Sequence, residues 1–325
     1  MLKKALALLG LTITLSFAQE ETRILTQFER DYILLKRGQY EVEENFSYVY
    51  MSVNQVFLQG FAILDPVFLT LGRFGIERVR RHIFTNVFSL RYGVRDHIQV
   101  EMAVPVIYRY EEGTVPETGV DRSADKFGLG DIAFGLSYQP LRETHRRPAL
   151  ILTAALKTRT GKGPFDIDPN RDVPTGTGFY SVRGGISLLK GLDPVVVFGG
   201  IAYAYNIEQK VNKLITPQVV QGQPAFVEKF DPGDTISLNA GFAYALSYKF
   251  SLSLQYIQNY TLHTYIWVRN EGRRRVLNSQ INVAMLKVGT SWNITRSTSF
   301  NVGLSVGLTG DTPDYIIEVR IPYRF

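Results

Sequence analysis

The chain reads as an all-β protein: a transmembrane antiparallel β-barrel of the outer-membrane type, with about twelve strands, or fourteen if one apolar segment adds a hairpin. Three observations predict this. Residues 315–325 put Tyr315, Ile317, Val319, Ile321, Tyr323 and Phe325 on one face and Ile316, Glu318, Arg320, Pro322 and Arg324 on the other. Side chains alternate along a strand at period two. This segment therefore has one apolar and one largely charged face, as a strand between lipid and a wet interior requires. Similar segments recur along the chain, joined by connections that alternate long and short, the rhythm of outer loops and periplasmic turns. Every apolar run after the leader breaks within a few residues, short of the about 20 that a spanning helix needs.

Residues 1–18 have the pattern of a secretory signal. Lys3 and Lys4 supply its positive region, residues 5–15 its apolar run, and Ser16-Phe17-Ala18 the small residues a signal peptidase reads, so that cleavage after Ala18 leaves Gln19 first. Loss of the two lysines lowers the formal net charge from +6 to +4. Residues 19–37 carry an apolar stripe (Ile24, Leu25, Phe28, Tyr32, Leu35) at helical spacing. They form either a short helix in the periplasm or barrel mouth, or a frayed leader, since short isolated helices are marginal.

The barrel is expected over 38–325. Residues 38–51 are its first strand, with Tyr40, Val42, Phe46, Tyr48 and Tyr50 on one face. Residues 54–79 contain the apolar run 56–71, broken at Asp65-Pro66. That break leaves an apolar loop, an inward-folded constriction or an extra hairpin. Residues 80–93 and 97–110 form the clearest hairpin, turning at Arg95-Asp96. Ile98, Val100, Met102, Val104, Val106, Tyr108 and Tyr110 alternate without a break, which is long for a globular strand but suits a tilted spanning one of about 9–11 residues plus ends. Strands then follow at 128–139, 148–160, 178–189, 194–207, 235–248, 251–267, 279–292, 298–309 and 315–325, with loops at 111–127, 161–177, 208–232 and 268–277. Tyrosine and phenylalanine recur near strand ends, as interfacial belts require.

Composition excludes several classes of function. The chain has no cysteine, which removes disulfides, thiol catalysis and thiolate metal sites. Its basic residues are dispersed and no nucleic-acid motif is present, so nucleic acid is not an expected partner.

The segment Gly128-Leu129-Gly130-Asp131-Ile132-Ala133-Phe134-Gly135-Leu136-Ser137-Tyr138 resembles the hallmark of a bacterial outer-membrane transporter family named for the meta-pathway of phenol degradation. Residues 35–43 (LKRGQYEVE), 77–81 (ERVRR), 91–96 (RYGVRD), 157–162 (KTRTGK) and 231–234 (DPGD) also match, so the resemblance covers nearly the whole mature chain. It implies a barrel that passes small, hydrophobic or aromatic solutes. The architecture is also similar to the barrel of functional-amyloid export channels, but those carry a longer amino-terminal coiled coil and plug than the residues available here.

Several groups are candidates for function. Alternation turns Glu101, Arg109, Asp131, Lys157, Arg159, Arg183, Glu318, Arg320 and Arg324 inward as pore-lining charges. Such groups steer solutes and set ion selectivity, or simply pair across and fill the lumen. Twelve strands lie between the filled barrels of eight and the open ones of sixteen. The expectation is thus a narrow, partly occluded pore with a slight anion bias. Tyr323 and Phe325 are the expected membrane-insertion signal, presented to the barrel-assembly machinery. Arg273-Arg274-Arg275 at the outer rim would meet lipopolysaccharide phosphates or solvent.

Residues 166–172 offer oxygen ligands at every second position, but the sixth position is Arg171 and the twelfth Thr177. The turn glycine and bidentate glutamate of a calcium loop are therefore absent, and no metal or cofactor is expected. Gly161-Lys162-Gly163 lacks the spacing of a phosphate loop. A barrel hydrolase needs a base and nucleophile facing lipid on adjacent strands. His97 and His145 fall at short turns and His263 faces inward, so no enzyme is expected. The reading is a channel for small solutes by passive diffusion. The alternatives are an export channel for a secreted polypeptide or a closed structural barrel.

Overall fold

A computed structural model describes residues 34–57, 61–64, 68–71, 75–115, 120–167, 172–215, 225–276, 279–295 and 297–325. The leader at 1–18 and most of 19–37 lie outside the described residues. In chain order the strands are β1 (Tyr40–Phe57), β2 (Phe61–Leu64), β3 (Phe68–Leu71), β4 (Gly75–Arg95), β5 (Ile98–Val115), β6 (Val120–Leu129) and β7 (Ala133–Leu141). Next come β8 (Ala149–Lys157), β9 (Ser181–Leu192), β10 (Val195–Asn206), β11 (Gln209–Ile215), β12 (Ala225–Asp231) and β13 (Thr235–Ala245). The chain ends with β14 (Phe250–Thr261), β15 (Tyr265–Val268), β16 (Gly272–Arg275), β17 (Ile281–Asn293), β18 (Ser299–Gly307) and β19 (Tyr315–Arg324).

The wall is a closed antiparallel ring of twelve staves, in the order β1, β4, β5, β6 with β7, β8, β9, β10, β13, β14, β17, β18, β19, and back to β1. Closure satisfies the backbone groups that an open edge would leave bare in lipid. The seam joins β19 to β1. There the Phe325 N–H donates to the Tyr40 carbonyl at 2.9 Å, and the two rings stack at 4.5 Å.

Alternation sorts the side chains. Phe46, Phe88, Leu90, Leu136, Ile186 and Ile321 stand exposed on the outer face. Glu41, Glu43, Thr85, Gln99, Arg109 and Ser237 are buried on the inner one. Aromatic clusters mark two levels of the wall, Tyr48, Tyr50, His82 and Tyr315 towards the long-connection end, and Tyr40, Tyr323 and Phe325 at the other. Both described termini and the short turns share one end, which is periplasmic in the ordinary orientation of such barrels.

The outer end departs from the sequence expectation in several places. The apolar run 56–71 contributes an extra hairpin, but β2 and β3 pair with each other outside the ring, so the wall keeps twelve staves rather than fourteen. The expected loop 111–127 is instead a hairpin extension, where the top of β5 pairs with β6. The expected strand 251–267 ends at Thr261, because the Thr264 N–H turns to the Ser279 hydroxyl (3.0 Å) instead of a ladder partner. Tyr265–Val268 then joins β11, β12 and β16 in a separate four-stranded sheet.

Candidate functional site

The lumen is shaped by one interruption in the wall. Opposite β5, the pairs Val106↔Leu129 and Ala103↔Ala133 leave Val104 and Pro105 facing Gly130, Asp131 and Ile132. The extra residue makes a bulge, at a point where Pro105 has no N–H to give the ladder. The bulge separates β6 from β7 and turns Asp131 inwards. Its side chain is only 2 % exposed.

Asp131 holds a loop inside the barrel. In the connection from β8 to β9 the described residues 161–167 and 172–179 fold down into the lumen, where Pro164, Val173, Thr175, Thr177 and Phe179 are buried. The Asp131 carboxylate accepts from the Gly161 N–H (3.0 Å), the Thr177 N–H (2.8 Å) and the Thr177 hydroxyl (2.6 Å). Lys157 pairs with Asp131 at 3.4 Å, also donates to Thr177, and lies 4.1 Å above the Phe179 ring. One carboxylate thus ties both limbs of the loop to the wall.

The limbs meet through glycine. A Cβ on Gly161 would lie 2.6 Å from Gly176 Cα, and one on Gly176 would lie 2.6 Å from Asp131 Oδ1. The close approach therefore needs both positions bare.

A second pin lies towards the outer end. Arg109, 2 % exposed, donates to the Pro174 carbonyl at 3.3 Å and to Glu111 at 2.7 Å. Arg81 shares that carboxylate at 3.2 Å. From outside, Phe230 of β12 packs on Phe165 and Phe179, and Lys126 holds Asp172 at 2.8 Å. The Lys126 hydrogen bond keeps the Asp172 carboxyl below its usual range.

Beneath the loop the lumen is open in two cavities of opposite character. The smaller, about 200 Å³, has apolar walls (Val87, Ala103, Pro105, Ala133, Ala155, Ala204), with Asp131, Lys157, Thr175 and Arg183 on its polar side. Arg183 stands in register between Ala155 and Ala204. The larger, about 440 Å³, is lined by hydroxyls and carboxamides (Asn45, Ser187, Asn239, Ser253, Gln255, Asn301), together with Lys287, Glu318 and Arg320. Lys287 pairs with Glu318.

Near the periplasmic mouth Arg91 joins Glu41 (2.8 Å), Glu43 (3.2 Å) and Glu101 (3.4 Å), while Arg324 closes on Glu41 at 2.8 Å. Leu35 tucks in beside them, with its N–H on Gln99.

The inward charges expected from sequence therefore form separate groups. Arg109 and Asp131 with Lys157 pin the loop, Arg183 lines the small cavity, Glu318 and Arg320 line the large one, and Glu101 and Arg324 belong to the mouth. Arg159 is a correction. The strand ends at Lys157, where Thr158 bonds the Ile132 carbonyl, so Arg159 lies beyond the wall, exposed, with its guanidinium on Gln209. Asp172 and Asp166 engage Lys126 and Lys213, and residues 168–171 between them lie outside the described residues. Thr177, Gly161, Gly176, Arg81, Arg91 and Lys287 also belong to the site, and strand alternation alone does not mark them as such. The paired glycines of 161–163 and 176–178 were the available signal.

Residues 30–325 match the family described as "Putative MetA-pathway of phenol degradation", so the chain belongs to that family. The fold resembles that of the COG4313 outer membrane channel from Pseudomonas putida F1, with a TM-score of 0.65 at 12 % identity over 91 % of this chain and 98 % of that one. A looser likeness, TM-score 0.42 at 12 % identity, links 89 % of this chain to 90 % of the toluene transporter TbuX from Ralstonia pickettii. At 12 % identity the likeness to the COG4313 channel establishes the fold, that of an outer-membrane β-barrel.

Proposed function

We propose that this chain is an outer-membrane channel through which small solutes, hydrophobic or aromatic ones among them, cross by passive diffusion. One observation supports the reading above the others: a pinned loop narrows the lumen without filling it, and open space of about 440 Å³ continues below. A structural barrel of this width has no need of a buried carboxylate to position a loop across its interior. The family description and the alanine-walled cavity favour aromatic solutes.

In this reading the protein performs no chemistry of its own. His82, on the outer face, is 2.9 Å from the Tyr48 hydroxyl, and a tyrosine is not the nucleophile that a lipid hydrolase would require. Delivery would use the leader cleaved after Ala18, with Tyr323 and Phe325 read by the assembly machinery. The exposed Arg273, Arg274 and Arg275 of the outer sheet would meet lipopolysaccharide phosphates.

The test is single-channel current across a planar bilayer holding the refolded mature protein. Steady conductance steps support the channel. Silence, with folding verified by heat-shifted gel mobility, indicates a closed structural barrel instead. Mass spectrometry of the exported protein, expected to begin at Gln19, tests the leader.

A further inference from the structure

We infer that the large lower cavity is a binding station for small monocarboxylates, with Arg320 as its anion-holding group; this rests on the channel reading above.

The argument begins with the charges of the lumen. Most are neutralised by a neighbour. Arg109 and Arg81 share Glu111, Lys157 has Asp131, Lys287 has Glu318, and Arg91 and Arg324 meet Glu41, Glu43 and Glu101. Arg320 is different. Among the described residues its guanidinium makes no ion pair and no hydrogen bond, and Asn301 Nδ2 donates to its backbone carbonyl, not to its side chain.

Glu318, two positions away on the same inward face, is engaged by Lys287, and the cross-strand neighbours of Arg320 are uncharged. In register on either side stand Asn45 of β1 and Asn301 of β18. Asn45 is uncharged, and its Oδ1 is buried and receives no donor among the described residues. Asn301 Nδ2 is 3.2 Å from Ser299 Oγ. All three residues Asn45, Asn301 and Arg320 line the 440 Å³ cavity, whose remaining polar groups are mostly serine hydroxyls and carboxamides.

A guanidinium in a wet, neutral chamber is suited to one ligand class. Its planar fork matches a carboxylate in a two-bond geometry that an ammonium cannot reproduce. The small cavity constrains the rest of the solute. Its walls of alanine, valine and proline accept a compact apolar body, and its volume of about 200 Å³ excludes a bulky one. The solute class that suits both chambers in turn is a small aromatic or aliphatic acid, whose apolar body fits the first and whose carboxylate fits Arg320 in the second.

The test compares wild type, Arg320→Gln, Arg320→Lys and Asn301→Asp in planar bilayers, with chloride as the carrier and benzoate or benzyl alcohol added. Wild type should show anion preference and a saturable benzoate block that benzyl alcohol does not produce. Arg320→Gln should lower the anion preference at least about threefold and abolish the block. Asn301→Asp, which sets a carboxylate beside Arg320, should do the same. Arg320→Lys should keep most of the preference while weakening the block. Equal reversal potential and equal block in wild type and Arg320→Gln overturn the inference while leaving the channel intact.

If wild type conducts nothing, the channel reading fails and calorimetric titration of benzoate into the detergent-folded protein decides the station. Saturable binding lost in Arg320→Gln supports it, and absence of binding to wild type overturns it.

Discussion

The outer and periplasmic halves of the lumen have the same wall and the same inward-outward alternation, yet one is occupied by chain and the other is open. In the outer half the inward residues include the charged Arg81, Arg109, Asp131 and Lys157, all of them committed to neighbouring charges or to the described backbone of the β8–β9 loop. In the periplasmic half, above the charged ring that Arg91 and Arg324 form with their glutamates, serine, glycine and asparagine dominate, and their short side chains leave a cavity. The barrel therefore obtains its constriction from one connection and a few anchors, rather than from packing side chains across the whole bore. A buried charge is costly unless paired and hydrogen-bonded. The outer half meets that condition by making loop amides and hydroxyls the partners.

The most direct way to break this contrast is Asp131→Ala. It removes the acceptor shared by the Gly161 and Thr177 amides, the Thr177 hydroxyl and Lys157. Removing one partner of a buried pair costs about 3–5 kcal/mol, enough to release the loop. The expected outcome is a several-fold rise in single-channel conductance and a lower temperature for the heat shift on gels. Unchanged conductance would mean that the loop is held without Asp131.

Gly176→Val tests the same element sterically. The new Cβ would meet Asp131 Oδ1 and Gly161, an overpacking worth about 1–3 kcal/mol. It should produce the same open phenotype more weakly. Because it acts on the same contact, its effect should add little to that of Asp131→Ala.

Phe325→Ala acts on the seam rather than the lumen and serves as a contrast. Loss of the Tyr40 stack costs about 0.5–1.5 kcal/mol, so the heat-shifted fraction should fall while the conductance of assembled channels stays at the wild-type value.

How much of this was legible in the sequence differs between the wall and the loop. The twelve staves follow from alternation, a local property. Lys157 and Arg320 could be assigned inward because each belongs to a regular strand. Arg159 could not, since the strand stops two residues earlier for a reason that lies elsewhere in the chain, the Ile132 carbonyl that captures Thr158. The partnership of Asp131 with Gly161 and Thr177 spans 30 and 46 residues, and no periodicity encodes such a distance. Its trace was present as glycine pairs and an inward aspartate. However, a glycine-rich segment states only that backbone will come close to something, not to what. The outer four-stranded sheet was hidden for a similar reason, since its strands are short, β16 is wholly polar, and each is ordered by pairing with a neighbour, β15 joining both β12 and β16.

The smallest expected effect refines the boundary between the two halves. Lys126 and Asp172 clasp the loop at its outer rim, where both side chains are part-exposed, so the pair should damp motion of the loop without holding it in place. The hydrogen bond from Lys126 lowers the Asp172 carboxyl below its ordinary value. A carboxylate depressed in the folded state contributes above its unfolded pKa, near 3.9 for aspartate, and loses that contribution as pH falls through the folded value. The clasp is therefore intact at pH 7 and fails only in strong acid. Asp172→Asn should raise open-channel current noise at pH 7 by less than about twofold, as expected for an exposed pair of little energetic weight. On acidification the wild type should approach the variant's noise, while the mean conductance of both remains far below that of Asp131→Ala. Other carboxylates titrate in the same range, so the difference between wild type and Asp172→Asn is the quantity to follow. A difference that persists unchanged below pH 3 would remove the clasp from the account and leave Asp131 and Arg109 as the anchors of the constriction.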